Sequence, residues 1–186
     1  LHPLTYLQIE STHPENNTLT LANLHQVIAR EPLSAFKGNT TSTFTQPDGP
    51  LSTSNTPFTQ SPKSNHYLLT TTLTFPLSSR AANSSLKAGL TILSSTHEHT
   101  TITYQPSTEL VVIDRSNSSA AASTTSGIST EPEVGKLRLF DVPSDEGGTK
   151  METLELTLVV DGGVVEVHVN GRFAMSTWVW AWFEES

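Results

Sequence analysis

From Met151 to Phe183 apolar and polar positions alternate with a period of two, the spacing of strands that bury one face. Leu154, Leu156, Leu158 and Val160 share one face of a first strand, and Val165, Val167 and Val169 share one face of a second. A third run sets Phe173, Met175, Val179 and Phe183 on one side and Trp178, Trp180 and Trp182 on the other. Asp161-Gly162-Gly163 and Asn170-Gly171 stand between the runs, and such residues supply the positive φ of tight hairpin turns. Three consecutive antiparallel strands are predicted. The last is apolar on both faces, which calls for cover on both sides, as in a β-sandwich.

The same reading finds more strands upstream. Tyr67–Phe75 alternates Leu69, Thr71, Leu73 and Phe75 against Leu68, Thr70, Thr72 and Thr74, and Ala88–Ser94, Thr100–Tyr104, Glu109–Asp114 and Lys136–Phe140 read as shorter strands. No long amphipathic helix is visible. The fold class is all-β, an antiparallel two-sheet sandwich of lectin or jelly-roll type. Residues 1–65 are expected to form an N-terminal connector and a Ser/Thr/Pro-rich loop, and residues 66–186 the sandwich. In the connector, Leu19, Leu21, Leu24, Val27 and Ile28 fit a short strand or a helical turn that Glu31-Pro32 ends. Residues 38–65 hold too little apolar surface to order on their own and are expected to lie over a partner surface. Residues 117–130 read as an exposed insertion between strands.

The final stretch, LTLVVDGGVVEVHVNGRFAMSTWVW, resembles the signature near the end of glycoside hydrolase family 32, the invertases, inulinases and fructosyltransferases. HYLLTTTLTFP at His66–Pro76, LVVIDRS at Leu110–Ser116 and KLRLFD at Lys136–Asp141 follow in the family's order, so the resemblance spans residues 66–183. It implies a C-terminal β-sandwich that follows a five-bladed β-propeller, where the family keeps its chemistry. The propeller's Asn-Asp-Pro-Asn-Gly, Arg-Asp-Pro and Glu-Cys motifs are all missing, and the chain has no Cys at all. The resemblance thus implies a non-catalytic part of a retaining, two-carboxylate β-fructofuranosidase acting on sucrose or fructans. Its partners would be the catalytic propeller domain or chain, a second copy in a homodimer, and carbohydrate at the level of the whole enzyme. No cofactor is implied. The 1–37 segment would clamp onto the missing domain.

Composition narrows the setting. Of 186 residues, 35% are hydrophobic and only 15% charged, with Ser and Thr making up the polar balance, as in extracellular β proteins. A net charge of −8 argues against nucleic acid or an anionic membrane as partner. No apolar run approaches the ~20 residues of a membrane-spanning helix. Asn-X-Ser/Thr acceptors stand at Asn16, Asn39, Asn83 and Asn117, whereas Asn55 has Pro57 where the hydroxyl is required. A secreted glycoprotein is expected. The chain opens at Leu1 without a signal-peptide pattern, so secretion would need upstream sequence, as in a processed fragment or the second chain of a two-chain enzyme.

Several side-chain groups invite chemistry. Trp178, Trp180 and Trp182 form an aromatic ladder fit for stacking on sugar rings, or for filling the core or an interdomain seam. If they bind sugar, a free-standing carbohydrate-binding module is the rival reading. His97-Glu98-His99 places two imidazoles on one face of a presumed strand, but no third metal ligand is apparent, so no metal site is assigned. Asp114, Asp161 and Glu166 are carboxylates, yet each sits at a strand end, in a turn or on an outward face, so no catalytic residue is assigned. Asp114-Arg115-Ser116 reads instead as a loop fixed by an ion pair and hydrogen bonds. Val164, Glu166, His168 and Asn170 make a polar-leaning face, either solvated or set against a propeller or second subunit.

Overall fold

The computed structural model describes residues 48–60 and 64–181, together with the backbone of two strands at 5–11 and 21–28. The predicted alternation becomes strand almost everywhere. β1 (Thr5–Ser11) and β2 (Leu21–Ile28) form an antiparallel pair, which decides for strand in the connector. β3 (His66–Leu73), β10 (Leu154–Asp161), β11 (Val164–Val169) and β12 (Phe173–Trp178) make a four-stranded antiparallel sheet in the order β12-β11-β10-β3. β4 (Ala88–Ile92), β5 (Thr100–Gln105), β6 (Leu110–Asp114) and β7 (Glu133–Lys136) make the second four-stranded sheet. β8 (Asp141–Pro143) and β9 (Thr149–Met151) close a small hairpin between the two.

The inner faces meet in one apolar core. Leu154, Leu156, Leu158, Val160, Val165, Val167 and Val169 face Ile102, Tyr104, Val111 and Ile113 across the sandwich, all buried. Phe75 meets Tyr104 edge to face at 5.6 Å, and the Tyr104 hydroxyl donates to Leu137 O at 3.0 Å, so its polar end is satisfied inside the core. Burial pushes the Tyr104 phenol above its usual range. A Cβ on Gly89 would fall 1.8 Å from Ile102 O, so β4 approaches β5 more closely than any side chain permits.

Both hairpin turns have the predicted chemistry. In the β11–β12 turn Asn170 and Gly171 take φ of 49° and 61°, the paired positive values of a type I′ turn, and Gly162 opens the β10–β11 turn at φ 59°. Asn170 is more than a turn residue. Its Nδ2 donates to Glu152 Oε1 and Thr153 O at 2.9 and 2.8 Å, and its Oδ1 accepts the Glu155 N–H at 2.9 Å. Asn170→Ala loses these bonds and puts a Cβ-only residue in the left-handed region, so a cost of about 2 kcal/mol is expected in urea unfolding. A loss under 0.5 kcal/mol would show the turn to be indifferent to its side chain.

Three expectations are corrected. The strand expected at Lys136–Phe140 lies earlier, at Glu133–Lys136. Leu137 and Leu139 are buried as their alternation implies, but beyond Leu137 the backbone leaves the sheet, and Arg80 binds Leu139 O and Asp141. Alternation reports burial, and here burial outlasts pairing. His97-Glu98-His99 lies in the β4–β5 loop rather than on a strand. Leu93 ends β4 with φ 47°, and Ser95 Oγ accepts the N–H groups of His97 and Glu98 at 3.1 and 3.0 Å. Residues 117–130 are mostly surface, yet Ser118 and Ser119 are buried, and fully buried Glu98 accepts the Ala120 N–H at 2.8 Å.

Candidate interaction surface at the open end of the sheet

Pairing aligns His66 with Asp161, Asp161 with Val164, and Val164 with Trp178. Directly paired residues share a face, so these four form one row on the outer face, about 14 Å across four strands. His66 Nδ1 lies 2.6 Å from Asp161 Oδ1, with side chains 59% and 60% exposed. At the other end Trp178 is 48% exposed and stacks on Trp180, with ring centroids 6.1 Å apart at an interplanar angle of 24°.

The turn glycines lie between the two ends, each beside one of them. A Cβ on Gly162 would lie 3.8 Å from His66 Cε1, and one on Gly163 would lie 3.6 Å from Trp178 Cε3. Val179 N–H donates to Gly163 O at 2.7 Å, extending the ladder past β12 and setting Trp180 beside the turn. Alternation therefore puts Val179 into the core, 1% exposed, and turns both indoles outward. The core-filling reading of the Trp ladder fails for Trp178. Trp182 lies outside the described residues.

Further along the same face the environment changes. Val159 and His168 are buried, and β2 approaches β11. His168 Nε2 lies 3.3 Å from Glu166 Oε2, their side chains 6% and 13% exposed. Burial lowers the imidazole's affinity for a proton, against the opposing pull of Glu166. The solvated-face reading of Val164, Glu166, His168 and Asn170 is thus overturned for Glu166 and His168.

The remaining groups are structural. Asp114 Oδ1 accepts the Ser116 N–H at 2.9 Å; the Ser116 hydrogen bonds hold its carboxyl below the ordinary range. Arg115 is buried and reaches Glu131 O, Trp178 O and Glu133 Oε1 at 2.9, 2.8 and 3.0 Å, so the ion pair and hydrogen bonds expected for this segment are present. Glu152, Arg172 and His66 were not legible as site residues, because their partners come from distant parts of the chain. Asn83 and Asn117 are exposed, while Asn16 and Asn39 lie outside the described residues. Among the described residues no helix is long and apolar enough to cross a membrane.

An all-β sandwich of two four-stranded sheets, ending in a hairpin and an aromatic-rich strand, is the class defined by this geometry. The family model "Glycosyl hydrolases family 32 C terminal" matches residues 32–186, and the chain belongs to this family. Solved structures agree. A crystal structure of A. japonicus CB05 is 44% identical over 98% of this chain, with a TM-score of 0.83. The wild-type fructosyltransferase from A. japonicus is 45% identical over 96% of the chain, at a TM-score of 0.82. The Aspergillus kawachii beta-fructofuranosidase complexed with glycerol is 47% identical over 96%, at 0.81. This chain spans only 28%, 28% and 29% of those three chains. Among curated proteins none matches it significantly.

Proposed function

We propose that this chain is the non-catalytic β-sandwich part of a secreted β-fructofuranosidase-type glycoside hydrolase acting on sucrose or fructans. The observation that supports it most is size against likeness: 44% identity over nearly the whole chain, matched to under a third of a longer relative. The catalytic carboxylates would belong to a propeller on the rest of such an enzyme, retaining in mechanism. The sandwich would stabilise that propeller, a dimer, or both. The approach of β2 to β11, the strand that carries the largely covered Glu166–His168 pair, supports this role, because it links the sandwich to the N-terminal connector.

Secretion would bring N-linked glycans to Asn16, Asn39, Asn83 and Asn117. Glycosidase treatment should then lower the mass of peptides containing Asn83 and Asn117, both of which are exposed.

The test is the mass of native material before and after denaturation, beside a sucrose-hydrolysis assay. Expected is a larger catalytic unit that travels with this chain, with activity found only in the joined form. A chain that runs alone at its own mass, and never joins a co-expressed family 32 propeller, would refute the accessory role.

A further inference from the structure

We infer that the row His66–Asp161–Val164–Trp178, extended by Trp180, is a surface site for a neutral oligosaccharide. A sugar ring has an apolar C–H face and a rim of hydroxyls, and its recognition needs an exposed aromatic plane beside fixed hydrogen-bonding groups. The row has both. The indoles of Trp178 and Trp180 are stacked, with ring centroids 6.1 Å apart at 24°, so each holds the other's plane in place, and the 48% exposed Trp178 leaves aromatic surface against which a sugar ring can pack. Across the Gly162-Gly163 turn, the 2.6 Å contact holds His66 and Asp161 against each other. One carboxylate oxygen faces the imidazole, and the other is left to accept from a hydroxyl. The flat, extended strip, about 14 Å long, fits a short chain of sugars better than one ring in a pocket.

Charge and composition select the ligand. The chain carries a net charge of −8 and the row adds Asp161, so a phosphate, sulfate or uronate chain is disfavoured. A protein partner is disfavoured too. Interface cores are depleted of charged groups, whereas half of this row is an exposed Asp–His pair. The apolar middle of the same face is already covered, as buried Val159 and His168 show. Among the described residues, what stays open is the mixed end.

The proposed accessory role enters only through the choice of an inulin-type fructan as first probe; the site itself rests on the row. The test is affinity electrophoresis of the full chain in gels containing inulin, with levan and xylan gels in parallel. Titration of Trp emission with a fructo-oligosaccharide accompanies it. Expected are retardation in at least one gel and a saturable emission change. Trp178→Ala should weaken binding at least tenfold, and Asp161→Asn severalfold. Trp178→Phe, which keeps an aromatic face, should recover most of the affinity and exclude a folding defect. Absence of retardation in all three gels, or equal retardation of wild type and Trp178→Ala, would overturn the site. Protection of Trp178 from acrylamide quenching on joining a catalytic unit would also overturn it, by assigning the row to the domain seam. Failure of this site leaves the co-migration result untouched, and failure of co-migration leaves sugar binding readable.

Discussion

Arg115→Ala is expected to lower the unfolding free energy by about 2–3 kcal/mol, the loss of several hydrogen bonds made by a buried guanidinium whose carboxylate partner Glu133 stays 44% exposed. The guanidinium is fixed by four groups from two places in the fold. Nε donates to Glu131 O, Nη1 to Ser129 O and Trp178 O, and Nη2 to Glu133 Oε1, at 2.9, 3.3, 2.8 and 3.0 Å. Glu131 and Glu133 lead into and begin β7 of one sheet, whereas Trp178 ends β12 of the other. One side chain at the end of β6 thus ties the sheets together where the apolar core runs out. Alanine would strand three carbonyls and a carboxylate near the core's rim, and the penalty is largest for acceptors that water cannot reach. Lysine should not restore the loss, because an ammonium lacks the planar fork that serves several directions at once. The measurement is urea unfolding of wild type, Arg115→Ala and Arg115→Lys. Both variants should show a lower midpoint at unchanged slope. A loss below 1 kcal/mol, or full rescue by lysine, would show that the sheets are held by apolar packing alone. The same change should reach the sugar site, since Arg115 fixes the carbonyl of Trp178.

What could be read from sequence follows the range of the cause. Alternation is local, so Leu154 to Val169 announced their buried face, and Asp161-Gly162-Gly163 and Asn170-Gly171 announced their turns. Pairing between distant segments is not local. Nothing near His66 says that Asp161 will lie 2.6 Å away. Nothing in the Lys136–Phe140 alternation distinguishes a strand from an irregular segment with two buried leucines. His97-Glu98-His99 misled for a related reason. Two-residue spacing of polar groups fits a strand face, but positive φ at Leu93 and the Ser95 hydroxyl turn the chain there. For the tryptophans, alternation gave the shared face of Trp178 and Trp180. Whether that face was inside or outside depended on what covers the sheet, and over its end row nothing among the described residues buries Trp178.

Glu152→Gln is expected to cost about 2–3 kcal/mol at neutral pH and to flatten the acid limb of the stability curve. Glu152 stands just past β9 and gathers the corner of the sandwich. Arg172 grips both carboxylate oxygens, Nη1 to Oε1 at 2.8 Å and Nη2 to Oε2 at 2.6 Å. The Phe140 N–H donates to Oε2 at 3.0 Å and Asn170 Nδ2 to Oε1 at 2.9 Å. Arg172 also lies 4.9 Å over the Phe140 ring and donates to Arg138 O at 2.9 Å. Burial alone would raise the carboxyl's pKa. The bonds from Arg172, Phe140 and Asn170 outweigh it and hold the group below its ordinary 4.5. With the folded value below the unfolded one, the unfolded chain binds the proton more readily. The stabilisation is therefore complete above 4.5 and is lost as pH falls through the lower folded value. His168 acts in the same direction but earlier. Its folded value lies below the ordinary 6.5 because burial disfavours the imidazolium, so its contribution begins to fall under 6.5. The two groups separate by pH. Urea midpoints measured from pH 7 down to about 3 should fall in wild type first with His168 and then more steeply with Glu152. Glu152→Gln should start lower, keep the first decline, and lose much of the second. If the variant follows the wild-type acid curve at a constant offset, the acid sensitivity belongs to other carboxylates, with Asp114 the next to examine.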